Sequence, residues 1–563
     1  MKTLRIGFLL DGPQCPKWQL DIIARIQKTN ELEICLFALN GEHKKISIDV
    51  TKKKTNKLIS LLWKLSKPLR LIWSIFNPSG YGIPIIYHRF DHKYNGHLNH
   101  LWDKDNIPKC SSAITVILNP IRKNFTHRFI DTDLKTITDC QLDVLIRFGF
   151  SIIRGDIHHT SRYGVWSFHH GDNRFYRGGP PGIWELIKGK REISVTLQQL
   201  NDTLDCGKTI GRFTHRADLF SALKNKHLIY SSCGDLLMQK LLQVQRIGFT
   251  SIQSTSTYQE NIEKTNILKS PKNIECLALI KTLILHYIEL RWPRNKKIQW
   301  FLATKPIDDQ LNSFQKASLI FAPKDRFYAD PFLIEHEGKH FVFFEEFIYK
   351  SKLAHISVGE LKDNKLSNIQ PIIEDNFHLS YPFIFKDNDK WYLIPETRQN
   401  QCVSLYHCVK FPYQWQLDSI IMDQVELLDA TIHKQDDTYF LFANQYEPKR
   451  NTSNEKLVVY FSENLRGPWQ AHPMNPLTTD ITNSRPAGKI FNQKNKLILP
   501  TQNCALRYGN ALNFNEIEIS KTYFSMEKIS TLSPHWHHSN LGSHTWNSNN
   551  QSIIIDGHRY IDR

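Results

Sequence analysis

The sequence predicts a multidomain protein: an α/β domain, then a helical connector, then an all-β five-bladed propeller. First, a chain of 563 residues is too long for one hydrophobic core, because single cores stop growing near ~300 residues. Second, residues 4–39 read as strand, helix and strand, which is typical of a parallel sheet. Third, short apolar strands recur after residue 299 at intervals of about 50 residues, the repeat expected of four-stranded propeller blades.

Bulk composition is that of a folded protein, with 41% hydrophobic, 12% aromatic and 23% charged residues. The net charge of +17 could attract nucleic acid or an anionic membrane. The basic residues are spread along the chain and no nucleic-acid-binding motif is present, so we expect no nucleic-acid partner. Ten scattered cysteines without zinc spacing, and an apolar N-terminal run too short for a signal peptide, favour the cytoplasm.

The α/β domain is predicted to span residues 1–215. Residues 43–110 break the alternation of strands and helices and are interpreted as an insertion. The expected elements are strand Leu4–Leu10, helix Trp18–Thr29, and strands Glu31–Leu39, Ala113–Leu118 and Val144–Phe148.

The insertion contains an apolar segment, Leu58–Phe76, that could reach a membrane. Lys64, Lys67 and Arg70 interrupt it, so it is no candidate for a transmembrane helix. With Lys52–Lys54 before it, the segment could make peripheral membrane contact as an interfacial amphipathic helix. A helical insertion packed on its own domain is the favoured interpretation.

The connector is predicted over residues 216–298, because its apolar pattern is helical and irregular. Two helices are expected in it, near Asp235–Val244 and Pro271–Trp292.

One series of motifs in the first domain contains candidate catalytic residues. Residues 164–184 read GVWSFHHGDNRFYRGGPPGIW, and the strings Ile193–Leu197 and Leu204–Gly207 follow. This succession resembles the catalytic domain of folate-dependent formyltransferases, such as methionyl-tRNA formyltransferase and sugar N-formyltransferases. The resemblance implies a Rossmann-like fold and matches His169 and Asp205 to the family's catalytic His and Asp.

The same resemblance implies 10-formyltetrahydrofolate as cofactor and an amino sugar, free or nucleotide-linked, as acceptor. The implied cofactor residues follow the strand after Leu142; they are Phe148, Gly149, Phe150, Ile152 and Ile153. Arg177 and Asp172 are predicted to contact the substrate.

Formyl transfer develops an oxyanion, which a His oriented by an Asp can stabilise while it moves the amine proton. Ser167 occupies the position of the family's catalytic Asn, and its hydroxyl offers one donor where an amide offers two. Zinc is an alternative for the pairs His158–His159 and His169–His170, but adjacent strand residues face opposite ways, so we expect no metal.

The propeller is predicted over residues 299–563. The strings FYADPF from Phe327, SYPF from Ser380, LDAT from Leu428 and SRPAG from Ser484 stand out in it. They resemble the N-terminal domain of glucosamine inositolphosphorylceramide transferase, which is similar to the five-bladed propellers of furanosidase-type glycosidases. On that resemblance Asp330 matches the first-blade acid of those glycosidases.

Inner strands of a propeller face one funnel, so acids far apart in sequence can converge there. Glycoside hydrolysis requires two carboxyls about 5–9.5 Å apart. A guanidinium can bind a phosphate or carboxylate, and an indole ring can stack on a sugar. The predicted substrate-binding residues of the propeller are Asp330, Glu346, Glu396, Asp429, Arg485 and His544, with Trp546 expected to line the funnel.

The leading functional hypothesis is formyl transfer to an amino sugar during polysaccharide or glycoconjugate synthesis, with the propeller holding the glycan. One alternative is a glycosidase or glycosyltransferase that acts through the propeller. A second alternative is a glycan-binding protein without catalysis. The sequence does not predict an oligomeric state.

Overall fold

The computed structural model describes residues 3–42, 77–203, 207–250, 267–291, 295–308, 311, 313–448 and 452–563. The chain divides into two compact units, residues 1–290 and 291–563. The predicted segment Leu58–Phe76 and the predicted catalytic Asp205 lie outside the described residues. Within those residues, no helix is both long and apolar enough to cross a membrane.

The first unit combines α-helices with one large sheet and several small ones. Its described helices are α1 (Lys17–Gln27), α2 (Gly82–Asn95), α3 (Asp131–Thr138), α4 (Ile183–Ile187), α5 (Ala222–Ile247) and α6 (Asn273–Arg291), with 3-10 turns at Gly96–Trp102 and Asp156–His159. Its strands are β1 (Leu4–Leu10), β2 (Gln14–Pro16), β3 (Leu32–Asn40), β4 (Lys104–Asn106), β5 (Ile114–Leu118), β6 (Ile121–Lys123), β7 (Thr126–Arg128), β8 (Val144–Arg147), β9 (Ile152–Arg154), β10 (Val165–His169), β11 (Arg177–Gly178), β12 (Glu192–Gln199), β13 (Lys208–Arg216) and β14 (Ile267–Leu268).

The large sheet has the strand order β13-β12-β10-β8-β1-β3-β5. The strands from β10 to β5 run parallel, whereas β12 and β13 pair antiparallel at one edge. β1 is almost entirely apolar, as expected of a strand buried on both faces of a parallel sheet. The predicted strand-helix-strand opening is confirmed.

Helices cover both faces of this sheet. Successive side chains of β1 point to opposite faces, so its residues belong to two different hydrophobic cores. Phe8 belongs to the core that includes α1 and α5, whereas the next residue, Leu9, belongs to the core that includes α3. α5 buries Leu236 and Leu241 in the first of these cores. The segment predicted as a connector therefore contributes its first helix to the hydrophobic core of the first unit.

The second unit consists almost entirely of strands. They are β15 (Lys296–Pro306), β16 (Ser318–Phe321), β17 (Arg326–His336), β18 (Lys339–Ile348), β19 (Leu353–Lys362), β20 (Lys365–Ile373), β21 (Ser380–Asp387), β22 (Lys390–Glu396), β23 (Cys402–Lys410), β24 (Gln414–Asp423), β25 (Leu427–Gln435), β26 (Thr438–Gln445), β27 (Leu457–Ser462), β28 (Gln470–Ala471), β29 (Arg485–Pro486), β30 (Phe491–Gln493), β31 (Lys496–Asn503), β32 (Ala511–Ile519), β33 (Phe524–Leu532), β34 (Trp546–Ser548) and β35 (Ser552–Asp562), with 3-10 turns at Arg398–Asn400 and Pro534–Trp536.

These strands form five sheets, which we call blades one to five. Blade one is β17–β20, blade two β21–β24, blade three β25–β28 and blade four β29 and β31–β33, with β30 paired to β31. Blade five joins β15 and β16 from the start of the unit to β34 and β35 from its end. First strands of neighbouring blades contact one another, so the sheets form a ring. The five-bladed propeller predicted from the repeat is confirmed.

The first strands of blades one to three share a bulge at the same place. Register breaks between Ala329 and Phe332 in β17, and the corresponding breaks occur in β21 and β25. Each bulge contains a residue with positive φ: Asp330 (50°), Tyr381 (45°) and Asp429 (55°). Left-handed backbone is uncommon for residues other than glycine, and bulges redirect side chains. The bulges place these three residues at the centre of the ring.

Candidate functional site

A cluster of polar side chains, here called the central cluster, lies where the five blades meet. Its ionisable members are coupled to one another in hydrogen bonds, ion pairs or charge interactions across blades. The members are Asp330 and Glu345 from blade one, His378 and Glu396 from blade two, Asp429 from blade three, Arg485, Gln502 and Tyr508 from blade four, and His544, Thr545 and Asp556 from blade five.

Asp330 connects blades one, two and five through hydrogen bonds. Its Oδ2 accepts a hydrogen bond from the backbone N–H of Tyr381 at 3.1 Å, and its Oδ1 accepts one from the Thr545 hydroxyl. Its own N–H donates to Asp556 Oδ2 at 3.2 Å. Both carboxylate oxygens of Asp330 are therefore engaged inside the propeller.

His544 is held between two carboxylates. Its Nδ1 forms an ion pair with Asp556 and lies 3.6 Å from Asp330 Oδ1. The ring also stacks on Trp300, with centroids 3.9 Å apart. Burial alone would lower the pKa of His544, but the carboxylates of Asp556 and Asp330 outweigh it and raise the pKa to about 9. The imidazole is therefore positively charged at neutral pH.

Burial, helped by the charges of Glu345 and Asp556, also raises the pKa of Asp330 to about 6, against the opposing charge of His544. Asp330, His544 and Asp556 carry ligand atoms that all lie within 4.8 Å of one another. That spacing could also hold a metal ion, whereas the sequence predicts no metal.

Asp429 is neutralised within the cluster by Arg485. Two guanidinium nitrogens, Nε and Nη2, donate to its two carboxylate oxygens at 2.5 and 3.1 Å, and the Gln502 amide donates at 3.0 Å. Arg485 Nη1 donates to Asn454 Oδ1 at 2.9 Å, and the guanidinium lies over the ring of Tyr508 at 4.9 Å. The sequence predicted Arg485 as an anion binder; in the structure the anion it holds is Asp429.

The outer part of the cluster is more accessible. His378 Nε2 lies 3.3 Å from Glu345 Oε1 with 30% of its side chain exposed, and Tyr508 is 39% exposed. Glu396 is partly buried and accepts a hydrogen bond from the Arg398 N–H at 2.7 Å. Burial raises the pKa of Glu396, whereas the Glu345 carboxylate outweighs burial and raises the pKa of His378. These groups are the ones that a ligand entering the funnel would meet.

Glu346 does not belong to the central cluster, which corrects the sequence prediction. Its carboxylate accepts hydrogen bonds from Arg326 Nη1 at 2.7 Å and from the Ser357 hydroxyl at 2.6 Å, both within blade one. Neighbouring residues of a strand face opposite sides, so the preceding residue, Glu345, is the one directed to the centre. Because strand residues alternate, the pair Glu345-Glu346 indicates that one acid faces inward, but the local pattern does not tell which one.

Trp546 is also misassigned by the sequence. It is 2% exposed and stacks against Phe491, with centroids 4.4 Å apart, in a hydrophobic core of the propeller. No sugar could reach it there. A partly exposed ring of the cluster is instead Tyr508, which stands in the loop after β31, lies beside Arg485 and His544, and is marked by no recognisable motif.

In the first unit, His169 and Ser167 lie on β10 at the edge where the parallel strands end. His169 Nε2 donates to the Tyr176 carbonyl at 2.6 Å. The Ser167 hydroxyl is buried and accepts a hydrogen bond from Arg147 Nη1 at 2.9 Å. His170 stacks on Tyr230, and burial lowers its pKa to about 3.

Asp172, predicted to contact substrate, is engaged by two arginines. Arg174 Nη2 lies 2.6 Å and Arg212 Nη2 3.6 Å from its carboxylate, and these groups lower its pKa against the effect of burial. Arg177 lies in β11, which pairs with β14. The structure therefore places Asp172 in an internal ion-pair network.

The predicted cofactor loop follows β8 at the same sheet edge. Phe148 packs against Phe8 and Trp18, with ring centroids 5.5 and 5.2 Å away. Phe150 and Ile153, which the resemblance implies as cofactor residues, have side chains buried in the hydrophobic core, so these side chains are not available to a ligand. Gly149 is packed so closely that a Cβ would lie 2.4 Å from the backbone nitrogen of Asp11.

The propeller is the part of the chain with the clearest similarity to known proteins. Residues 298–558 match the family model described as glucosamine inositolphosphorylceramide transferase 1, N-terminal. The rice (Oryza sativa subsp. japonica) protein named glucosamine inositolphosphorylceramide transferase 1 is 30% identical over 196 residues, 34% of this chain and 26% of that protein. Its Arabidopsis thaliana namesake is 28% identical over 230 residues, 39% of this chain and 29% of that protein. The chain thus spans between a quarter and a third of the length of these relatives.

Two further likenesses are weaker. Methionyl-tRNA formyltransferase of Prochlorococcus marinus (strain AS9601) is 31% identical over 91 residues, 16% of this chain and 27% of that protein. Among solved structures, the family 117 glycoside hydrolase Zg3597 of Zobellia galactanivorans is 14% identical with a TM-score of 0.32, covering 47% of this chain and 90% of that one.

Proposed function

We propose that the chain is a carbohydrate-acting transferase whose propeller binds a sugar-containing substrate at the central cluster. The observation that carries this proposal is the convergence of charged and polar groups from all five blades, with His378, Glu396 and Tyr508 at its accessible side. Carboxylates, an imidazole and an aromatic ring are groups that hold sugar hydroxyls and sugar faces. The likeness to glucosamine inositolphosphorylceramide transferase 1 supports a sugar substrate and a transferase.

Sugar binding is better supported than hydrolysis. A glycosidase needs one free carboxylic acid and one free carboxylate on either side of the scissile bond. Both oxygens of Asp330 and both oxygens of Asp429 accept hydrogen bonds from the protein itself. The two acids that the bulges place at the centre therefore organise the funnel. Glu345 is buried beside His378, so Glu396, which is partly exposed, is the acid of the cluster that a ligand can contact.

The test is sugar binding by the full chain, measured by calorimetry against free and nucleotide-linked amino sugars and inositol-containing glycans. Glu396→Gln should weaken the binding of a bound sugar by about tenfold, because a hydrogen bond to a charged group contributes ~1.5–3 kcal/mol. Tyr508→Ala should weaken it by about the same factor, because the sugar face loses the ring that it packs against. The matched control is Glu337→Gln, in the exposed β17–β18 turn. Unchanged affinity in both cluster variants, or no binding by any sugar, would refute the proposal.

Formyl transfer by the first unit is a second candidate. The parallel strands β1, β8 and β10 end at one edge and bring Asp11, the Phe148–Gly149 loop and His169 to it, and the 91-residue likeness to methionyl-tRNA formyltransferase supports the same chemistry. When bound, 10-formyltetrahydrofolate supplies a formyl carbon for transfer to an amine. The loop itself is closed against the end of β1, because Gly149 packs on Asp11 and Phe150 donates its N–H to Asp11 Oδ1 at 2.8 Å. His169 would hold the proton at Nε2.

Its test is turnover of 10-formyltetrahydrofolate with nucleotide-linked amino sugars, wild type against His169→Ala. Turnover that the variant lacks would support formyl transfer. Absence of both turnover and folate binding would discard it and leave the propeller proposal untouched.

A further inference from the structure

A cavity of about 580 Å³ opens in the first unit. It lies between α2, residues 180–183, the start of α5 and residues 270–276. None of the predicted catalytic or cofactor residues lines it. Its volume is within the ~300–1,000 Å³ typical of sites for small molecules.

The walls of this cavity are mostly apolar. Pro84 and Ile85 of α2 face it from one side, and Pro181, Ile183 and Leu223 from the other. Burying an alkyl chain against such walls is favourable, because it removes apolar surface from water.

Basic side chains line the same cavity. Lys226 is half-buried, and its ammonium lies 4.1 Å from the ring centroid of Trp102 and 5.8 Å from that of Tyr230. Arg89 and His88 stand on α2 where that helix is exposed. Among the described residues, neither Lys226 nor Arg89 has a carboxylate within ion-pair distance. The ring faces attract the Lys226 ammonium but carry no formal charge, so an anion can still pair with it.

The single acid in the lining is already satisfied. Asp91 Oδ1 accepts hydrogen bonds from the Ser221 hydroxyl and from Asn95 Nδ2 at 2.8 Å, and Oδ2 accepts one from the Leu223 N–H at 2.9 Å. These contacts fix α2 to the start of α5. Asp91 therefore serves the packing of the two helices, and the free charge in the cavity is positive.

Two helices that contribute to the cavity lining also carry exposed apolar side chains. Ile86 and Phe90 of α2 are 45% and 62% exposed, and Ile274 and Leu277 of α6 are 58% and 56% exposed. Exposed apolar patches rimmed by polar groups mark binding surfaces on soluble proteins.

We propose that this cavity binds an anion with an apolar body, such as an alkyl phosphate, whose charged head contacts Lys226 and Arg89 and whose chain lies along the proline- and isoleucine-lined walls. Inorganic phosphate alone lacks the apolar contacts, and a neutral detergent lacks the charge. The ligand could be a single-chain amphiphile in solution or a lipid presented by a bilayer, and the two sources share this chemistry.

The probe is monododecyl phosphate below its micelle concentration, titrated calorimetrically into the full chain. We expect saturable binding, with inorganic phosphate and dodecyl maltoside about 100-fold weaker, since each lacks one of two contributions. Lys226→Gln and Arg89→Gln should each weaken binding at least about tenfold. Lys226→Arg should restore it, which separates charge from packing.

The matched control is Lys93→Gln, a substitution on α2 outside the cavity lining, which should leave affinity within about twofold. Co-sedimentation with phosphatidylglycerol vesicles then identifies the source. If the protein sediments with the vesicles and Lys226→Gln abolishes this, the ligand is a bilayer lipid. If the protein binds only the soluble probe, the ligand is a free amphiphile. The proposal is overturned if dodecyl phosphate does not bind, binds no better than phosphate or dodecyl maltoside, or binds equally to the Lys226→Gln and Arg89→Gln variants.

Discussion

At the residue scale, the central cluster is held by charges that satisfy one another. Asp429 and Arg485 come from neighbouring blades and are both nearly inaccessible, with side chains 2% and 8% exposed. Removing water from two ions is costly, and the bidentate contact with added donors from Gln502 offsets that cost. Loss of one partner leaves the other buried and uncompensated.

Arg485→Gln should therefore lower the free energy of unfolding by about 3–5 kcal/mol, the usual penalty for breaking a buried pair. Lys496→Gln, which breaks an exposed pair with Glu516, is the control and should change it by less than about 1 kcal/mol. Urea denaturation followed by tryptophan fluorescence gives both values. Equal effects of the two substitutions would show that the Asp429–Arg485 pair does not stabilise the centre.

His544 gives the propeller a pH dependence. Its folded pKa of about 9 exceeds the unfolded value of about 6.5, so protonation stabilises the folded state. That contribution is complete below about pH 6.5 and is lost as pH rises towards 9. The unfolding free energy of the wild type should thus fall between pH 7 and 10 by up to ~3 kcal/mol more than that of His544→Gln. Parallel pH profiles for the two proteins would contradict the assignment.

At the scale of elements, the repeated bulges of β17, β21 and β25 decide what stands at the centre. Blades one and three place an acid there, Asp330 and Asp429, whereas blade two places Tyr381. Its hydroxyl contacts the Thr431 hydroxyl at 2.8 Å and accepts the Gly488 N–H at 2.7 Å. Tyr381 thus joins blade two to blades three and four, with its ring fully buried.

Tyr381→Phe should lower the unfolding free energy by about 1–3 kcal/mol, because the Gly488 N–H and the Thr431 hydroxyl lose a partner in a buried place. Tyr413→Phe is the matched control, since the Tyr413 hydroxyl has no hydrogen bond recorded with the described residues and its ring is partly exposed. Thermal unfolding midpoints compare the two. A loss no larger than that of the control would mean that the hydroxyl does not tie the blades together.

At the scale of the whole molecule, each unit has its own hydrophobic cores and the ring of the second closes on itself. β35 pairs with β15 over their full lengths, from Lys296 with Asp562 to Pro306 with Ser552. The last strand of the chain therefore completes a blade that begins more than 200 residues earlier, the arrangement that removes open edges from a propeller.

Truncation after Asn550 should open the ring and abolish the folded propeller, because β15 and β34 lose their shared neighbour. Limited proteolysis should then degrade residues after 295 while a fragment containing the first unit persists. Removal of Arg563 alone, beyond the end of β35, is the control and should leave both units resistant. A truncated chain that resists protease as the full chain does would refute closure by β35 as a condition of folding.

Local sequence patterns were enough to predict much of the architecture. The apolar run of β1, the helix that follows it and the blade repeat were all readable, since strand and helix periods and turn residues are local properties. The acids Asp330, Glu396 and Asp429 were also found from short strings around them, and the structure brings them into one cluster.

Other features depended on contacts between residues distant in sequence. The choice of Glu345 over Glu346 followed from strand register, and burial of Trp546 followed from the packing of blades four and five. Arg485 was predicted to hold a ligand, yet the ring closes it onto Asp429, 56 residues away. The basic cavity beside α2 forms only because four separate segments meet.

The sequence by itself determined the elements and the kinds of residue available, because these follow from local periodicity and side-chain chemistry. Only the tertiary structure decided which charges neutralise one another and which remain free, because burial and pairing are set by long-range packing.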